Sequence, residues 1–308
     1  MTEPTLIFET VHGSRAYNLH RPNSDTDYKG IIVGPASWYH GYCGAPEQIE
    51  LSPDHVRFEI RKFFALATAA NPTITEMLWT DPEHHRVITP AGRRLLAQRS
   101  AFLTKRTRST FAGYALSQLK RIKTHRRWLL SPPKREPTRG EFGLPERTLI
   151  PRDQLGAAEV LIEQGRIAEA ELTPNFLEIL EREKRYRQAR KEWEQHRAWL
   201  KGRNPERAAL EARYGYDTKH AMHLVRLQRM AVEILLEERV VVGRPDREEL
   251  LAVRDGAWSY DELIEQCDKL EAGIQAAAQQ SRLPEEPDQQ TLDQLCVSIV
   301  EEVLHAQT

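Results

Sequence analysis

Residues 13–30 read GSRAYNLHRPNSDTDYKG, and the rest of the chain is interpreted outward from them. An apolar run at 5–11 enters this stretch as one strand, and 25–33 leaves it as a second. Side chains on a strand alternate faces, so Asp25 and Asp27 are predicted to share one face and Thr26 to lie on the other. Two carboxylates on one face repel unless a cation neutralises them. Hard oxygen ligands of this kind suit Mg2+, which takes one or two carboxylates and leaves its other positions to water and substrate phosphate. Gly13 lets the backbone come close to a ligand. Ser14 is expected to cap a short helix from Arg15 onward, whose free N–H groups face an anion. Gly-Ser alone says little, and Asn23-Ser24-Asp25 alone is ordinary turn chemistry. Together, each at the end of a strand-like run, they outline a nucleoside-triphosphate site.

GSRAY followed by SDTDYKGIIV resembles the DNA polymerase β-type nucleotidyltransferase superfamily. More narrowly, the chain is similar to the predicted nucleotidyltransferases that accompany RNA-repair ligases in bacteria, the RlaP-like family. Further matching blocks are EIRKFFALATAANPTITEMLW, KRTRSTFAGYALSQLKRIKTHR, YDTKHAMHLVRLQRMAVEIL and GRPDREELLAVRDG, so the resemblance spans most of the chain. It implies an α+β protein: a small mixed-sheet, polymerase β-like nucleotidyltransferase domain followed by a mainly helical C-terminal region. It also implies a third carboxylate that takes the proton of the attacking hydroxyl. Counting back from Arg61-Lys62-Phe63, that acid is Asp54, with Glu59 as the alternative. Alternation groups Asp54 with Val56, Phe58 and Ile60, which puts the site at the edge of an apolar face, and groups Glu59 with His55 and Arg57. Asp25, Asp27 and Asp54 are then the expected catalytic and metal-binding residues, for two Mg2+ ions or Mn2+ in their place.

Composition narrows the setting. The 308 residues carry a net charge of −1, so any surface for a polyanion must be local. Mean hydropathy is −0.60, and no apolar run approaches the ~18 residues of a membrane span. Cys43, Cys267 and Cys296 are few and widely spaced, which favours a reducing, cytoplasmic setting over a disulfide framework or a cysteine zinc site.

Residues 34–48, rich in glycine and aromatics, read as a loop near the site. Its Tyr39, His40 and Tyr42 either stack on a base or pack the loop itself. A strand at 54–60 is expected to run into a helix at 61–70, which Asn71-Pro72 ends. Between 101 and 139 the basic residues face a single acid, Glu136. Most of them lie on a predicted helix at 109–130, with Phe111, Tyr114, Leu116, Leu119, Ile122 and Trp128 as its buried stripe. Lys120, Arg121, Lys123, Arg126 and Arg127 form the basic face, which suits an RNA backbone, or else is solvated or paired with acids of the C-terminal half. The proline-rich stretch 131–152 reads as a surface loop.

From Gln154 onward the pattern is helical. A charged helix is predicted at 175–201 and a break at 202–205. A helix at 218–238 is expected to be capped by Asp217. On it Lys219, His223, Arg226 and Met230 fall in one column, opposite Leu224, Leu227, Ala231 and Ile234. A lysine, a histidine and an arginine in a column suit polyphosphate oxygens. The alternative for them is a polar network between helices. Arg244, Asp246 and Arg254 lie in a family-like block without an assignable role.

The expected organisation is therefore a catalytic domain at 1–100 and a helical domain at 101–308. The expected reaction is transfer of a nucleoside monophosphate from an NTP, such as ATP, to a hydroxyl. Gly13, Ser14, Lys219, His223 and Arg226 bind the nucleotide, and an RNA end is the first-choice acceptor. A functional link to an RNA-repair ligase follows from the resemblance. The rival readings are nucleotidylation of a protein or small molecule, and a non-catalytic nucleotide- or RNA-binding module.

Overall fold

A computed structural model describes residues 3–148 and 174–306, with 156, 160 and 163–165 between them. The end of the expected loop (149–152) and most of the first expected helical stretch (154–173) lie outside the described residues.

The N-terminal part holds a five-stranded mixed sheet in the order β3-β4-β2-β1-β5. Its strands are β1 (Thr5–His12), β2 (Asp27–Val33), β3 (Gln48–Ser52), β4 (His55–Glu59) and β5 (His85–Ile88). β1 pairs antiparallel with β2, His12 opposite Asp27 and Thr10 opposite Lys29. β2 pairs parallel with β4, from Tyr28 opposite His55 to Ile32 opposite Glu59. The sequence reading found β1, β2 and β4; it took the start of β3 for loop and did not register β5. Both missed strands are short, and β3 is almost wholly exposed at the sheet edge, so neither carries a strong alternation signal.

The helices of this part are α1 (Gly13–Ala16), α2 (Ser37–His40), α3 (Ile60–Thr68), α4 (Pro72–Leu78), α5 (Pro90–Ala97) and the first part of α6 (Thr107–Leu130). α3 stops two residues before the expected end. Ala70 takes a left-handed turn and Asn71 caps α4, with Pro72 at its first position. α6 is followed in sequence by α7 (Pro174–Lys201), α8 (Pro205–Tyr214), α9 (Thr218–Glu237), α10 (Arg247–Arg254), α11 (Tyr260–Gln280) and α12 (Gln289–His305). Asp217 caps α9 as expected, accepting from the His220 N–H.

The chain divides into two compact units, Met1–Ile122 with Tyr216–Thr308, and Lys123–Gly215. In the first, Phe8, Ile31, Val33, Val56 and Phe58 of the sheet bury against Phe63 and Phe64 of α3, Ile74 and Met77 of α4, and Leu292, Cys296, Ile299 and Val303 of α12. The last helix of the chain is thus part of the core beneath the first strands. In the second unit, Trp128, Trp199, His125 and His196 form an aromatic cluster with ring centroids 5.1–5.7 Å apart.

The expected buried stripe of α6 needs correction. Phe111, Leu119, Ile122 and Trp128 are buried, but Tyr114 is 44% and Leu116 65% exposed. Ala115 occupies the inward position between Phe111 and Leu119, because 111, 115, 119 and 122 follow the helical period and 114 and 116 flank it.

Candidate active site

β1 ends at His12, and Gly13 turns the chain with a φ of 66°, in the left-handed region that favours glycine. A Cβ at Gly13 would lie 2.0 Å from Asp27 Oδ2. No side chain fits there, so the Gly13 backbone stands directly against the Asp27 carboxylate. Ser14 lies inside α1, whose N-cap is His12 without a side-chain bond, so the expected capping by Ser14 does not occur.

Asp25 precedes β2, which begins at Asp27; the expected strand was two residues too long at this end. A turn at 21–24, closed by Ser24 N–H to the Arg21 carbonyl and Arg21 N–H to Ser24 Oγ, delays the strand. The two acids are therefore not brought together by strand alternation. They nonetheless sit within electrostatic range of one another: the half-buried Asp27 carboxyl is pushed up from the usual carboxylate range by burial first, then by Asp54, and further by Asp25. Lys29 and Lys219 pull in the opposite direction.

Asp54 reaches this position through the parallel pairing. Its carbonyl accepts from Tyr28 N–H at 2.7 Å, one residue before the Tyr28–His55 pair, which sets Asp54 beside Asp27. Glu59 pairs with Ile32, five residues along β2 from Asp27, about 16 Å at strand rise. It is 3% exposed and fully engaged: its carboxylate caps α3 by accepting from Arg61 and Lys62 N–H and also accepts from Arg61 Nε and the Tyr39 hydroxyl. Tyr39 therefore packs its own loop; its hydroxyl also accepts from Gly34 N–H.

Among the described residues no group of three or more His, Cys, Asp or Glu side chains is placed to hold a metal ion, and Asp25, Asp27 and Asp54 are no exception. An open acidic edge with one half-buried, electrostatically strained carboxylate still fits a hard divalent cation that completes its shell with water and phosphate.

The α9 column divides along its length. Lys219, in the first turn, lies within electrostatic range of Asp27. His223 is half-buried on the same column. Arg226 is 5% exposed and its Nη1 donates to Glu76 Oε1 at 2.6 Å and contacts Met230 Sδ at 3.0 Å. Its guanidinium also lies 3.7 Å from the centre of the Tyr17 ring, and the Tyr17 hydroxyl bonds Glu76. Arg226 thus belongs to the interhelix network that was its alternative reading. His12 Nε2 stands 3.8 Å from Glu76, and burial, assisted by the Arg226 and Lys29 charges, pushes the His12 imidazole down to about 4.

Sequence reasoning overlooked Lys29, Glu76, Tyr17 and His12. Lys29 carried a usable signal, two residues beyond Asp27 on the same strand face. Glu76, a lone acid among Ile74, Met77 and Leu78, carried a fainter one. Of the basic positions, Lys120, Arg121 and Lys123 are exposed with no carboxylate within 4 Å among the described residues. Arg127 pairs with Glu192 at 2.6 Å and Arg126 donates to the Gly215 carbonyl. Lys105 and Arg106 pair with Glu285 and Glu286. Cys43, Cys267 and Cys296 are free thiols, and among the described residues no helix is long and apolar enough to cross a membrane.

No curated protein and no solved structure matches the chain. Residues 2–130, which contain Gly13, Asp25, Asp27 and Asp54, match the RlaP family, the RNA repair pathway DNA polymerase beta family; this bears out the family resemblance over that stretch, while the blocks at 216–235 and 243–256 lie beyond it.

Proposed function

We propose that this protein is a metal-dependent nucleotidyltransferase that moves a nucleoside monophosphate from an NTP to a hydroxyl on an RNA end and releases pyrophosphate. The observation that carries the reading is the Asp27 carboxyl, half-buried beside Asp54 and Asp25 and pressed against the Gly13 backbone. The family match supports the reaction class and the RNA-repair setting. Mg2+ or Mn2+ held by Asp25, Asp27 and Asp54 would supply neutralisation of the charge on the reacting phosphate. Asp54 accepts the proton of the acceptor hydroxyl as its oxygen bonds to the α-phosphorus and the bond to the β-phosphate oxygen breaks. Gly13 and Ser14 bring backbone donors to the terminal phosphates. Lys219, with His223 beside it, meets the same phosphates from α9, and Lys29 offers a further cation on the strand face. Arg226 serves this step at one remove, by tying α9 to Glu76. Catalysis here is chiefly positioning and charge neutralisation.

An RNA acceptor is supported by the exposed cations Lys120, Arg121 and Lys123, whose phosphate contacts would weaken with salt. Incubation with labelled NTPs, Mg2+ and total RNA, then total protein, tests the reading. Label in RNA 3′ ends is expected. Label in protein alone would overturn the RNA acceptor, and label in neither would overturn the transferase.

A further inference from the structure

Gly13-Ser14 opens a loop that runs to Asp25, and this loop is held from a distant part of the chain. Tyr17 and Asn18 follow directly on α1, and Asn18 takes a left-handed φ of 59°. The Tyr17 carbonyl accepts from Arg244 N–H at 3.1 Å. The Asn18 carbonyl accepts from Arg247 Nε at 2.7 Å. Arg21 pairs with Asp255 at the end of α10, and the Tyr17 ring lies under Arg226. The holding residues are themselves braced. Arg244 donates to both oxygens of Glu233 at 2.7 Å and to Asp246 at 2.8 Å, and Arg229 joins Asp246 to Glu249. These contacts involve the block GRPDREELLAVRDG, whose residues otherwise have no chemistry.

We infer that the segment 244–255 is a clamp whose purpose is to position the Gly13–Ser14 turn for the triphosphate. Arg247 and Arg244 are positioning residues, and the matched region 2–130 is incomplete as a nucleotide site without them. The inference rests on the nucleotide reading above. Without Arg247 the Asn18 carbonyl loses a charged donor, and a left-handed residue has less to hold it. The turn then samples arrangements in which the Gly13 backbone leaves Asp27, and only a fraction of molecules remains ready to bind.

The test uses the whole chain carrying Arg247→Ala, Arg247→Lys or the pair Arg21→Ala with Asp255→Ala. Arg247 is partly exposed, so its replacement leaves the core intact. Amide exchange at 14–21 should accelerate about ten-fold in Arg247→Ala while β1 and α12 keep their protection. The apparent dissociation constant for a non-hydrolysable ATP analogue should rise about ten-fold, and Arg247→Lys should recover most of both changes. Unchanged exchange at 14–21 in both Arg247→Ala and the Arg21/Asp255 double variant would overturn the clamp. Faster exchange with unchanged analogue binding would overturn its positioning role. A wild-type chain that binds no analogue would instead overturn the nucleotide reading, and the exchange data would still decide whether the clamp exists.

Discussion

The two ends of the β2–β4 pair hold the same kind of group in opposite conditions. At the Ile32–Glu59 end, a buried carboxylate has its partners in place: two backbone N–H groups, an arginine and a tyrosine. At the Asp27–Asp54 end, burial and the nearby Asp54 and Asp25 charges push Asp27 up more than Lys29 and Lys219 pull it down, and its carboxylate lies against bare backbone. A satisfied carboxylate stabilises a fold and has no call for a ligand. An unsatisfied group of like charges costs stability unless something absent from the polypeptide completes it. This contrast, rather than the mere presence of acids, is what favours Asp54 over Glu59 in the proposed site.

The comparison can be broken most decisively at the acidic end. Asp27→Asn should lower nucleotidyl transfer by about 10³-fold or more while leaving thermal stability equal or higher, since a repelled charge is removed. Mg2+ should raise the melting temperature of the wild type and not of this variant. Retained activity, or a destabilised variant, would place Asp27 among the structural acids.

The pH dependence of folding is the next effect in size. The His12 imidazole is held at about 4 when folded, against about 6.5 when unfolded. Between these values the unfolded chain binds the extra proton, so stability is fully present above about 6.5 and is lost as pH falls toward 4. The loss amounts to about 3 kcal/mol. Denaturant titrations of wild type and His12→Asn across this window check it; parallel curves would remove His12 as the cause.

At the satisfied end, Glu59→Gln should cost about 2 kcal/mol through the cap of α3 and the ion pair with Arg61, with activity per folded molecule unchanged. A large fall in kcat with little loss of stability would restore Glu59 as the third catalytic acid. The smallest effect is expected for Tyr39→Phe, about 1 kcal/mol, read by chemical denaturation, because Glu59 keeps its other donors. Similar losses for Tyr39→Phe in Glu59→Gln and wild-type backgrounds would show that the two groups act independently.

Much of this is legible in the sequence. The apolar run into Gly13-Ser14, the Asp27 strand, the strand-to-helix passage at residue 60 and the Asp217 cap are local patterns, and each appears where expected within a few residues. The family resemblance points to Asp54 with Glu59 as the alternative, and the physical argument that favours Asp54 rests on the parallel register of β2 and β4. That register joins strands 22 residues or more apart in sequence and leaves no periodic mark. Arg226 shows the same limit. The helix that carries its column lies where expected, but Arg226 and Met230 are buried like the opposite face, and Glu76, the residue that consumes the Arg226 charge, lies 150 positions away.

By itself the sequence determined three of the five strands, most described helices and a set of residues whose types suit phosphate and metal chemistry, because alternation, helical period, capping and glycine freedom act over a few neighbouring residues. Only the tertiary structure decided which of those charged groups are spent on one another and which remain uncompensated. Ion pairing and burial depend on through-space distance, and the chain that brings Tyr17 to Arg226 and Arg244, or Asp54 to Asp27, is folded by a core drawn from both of its ends.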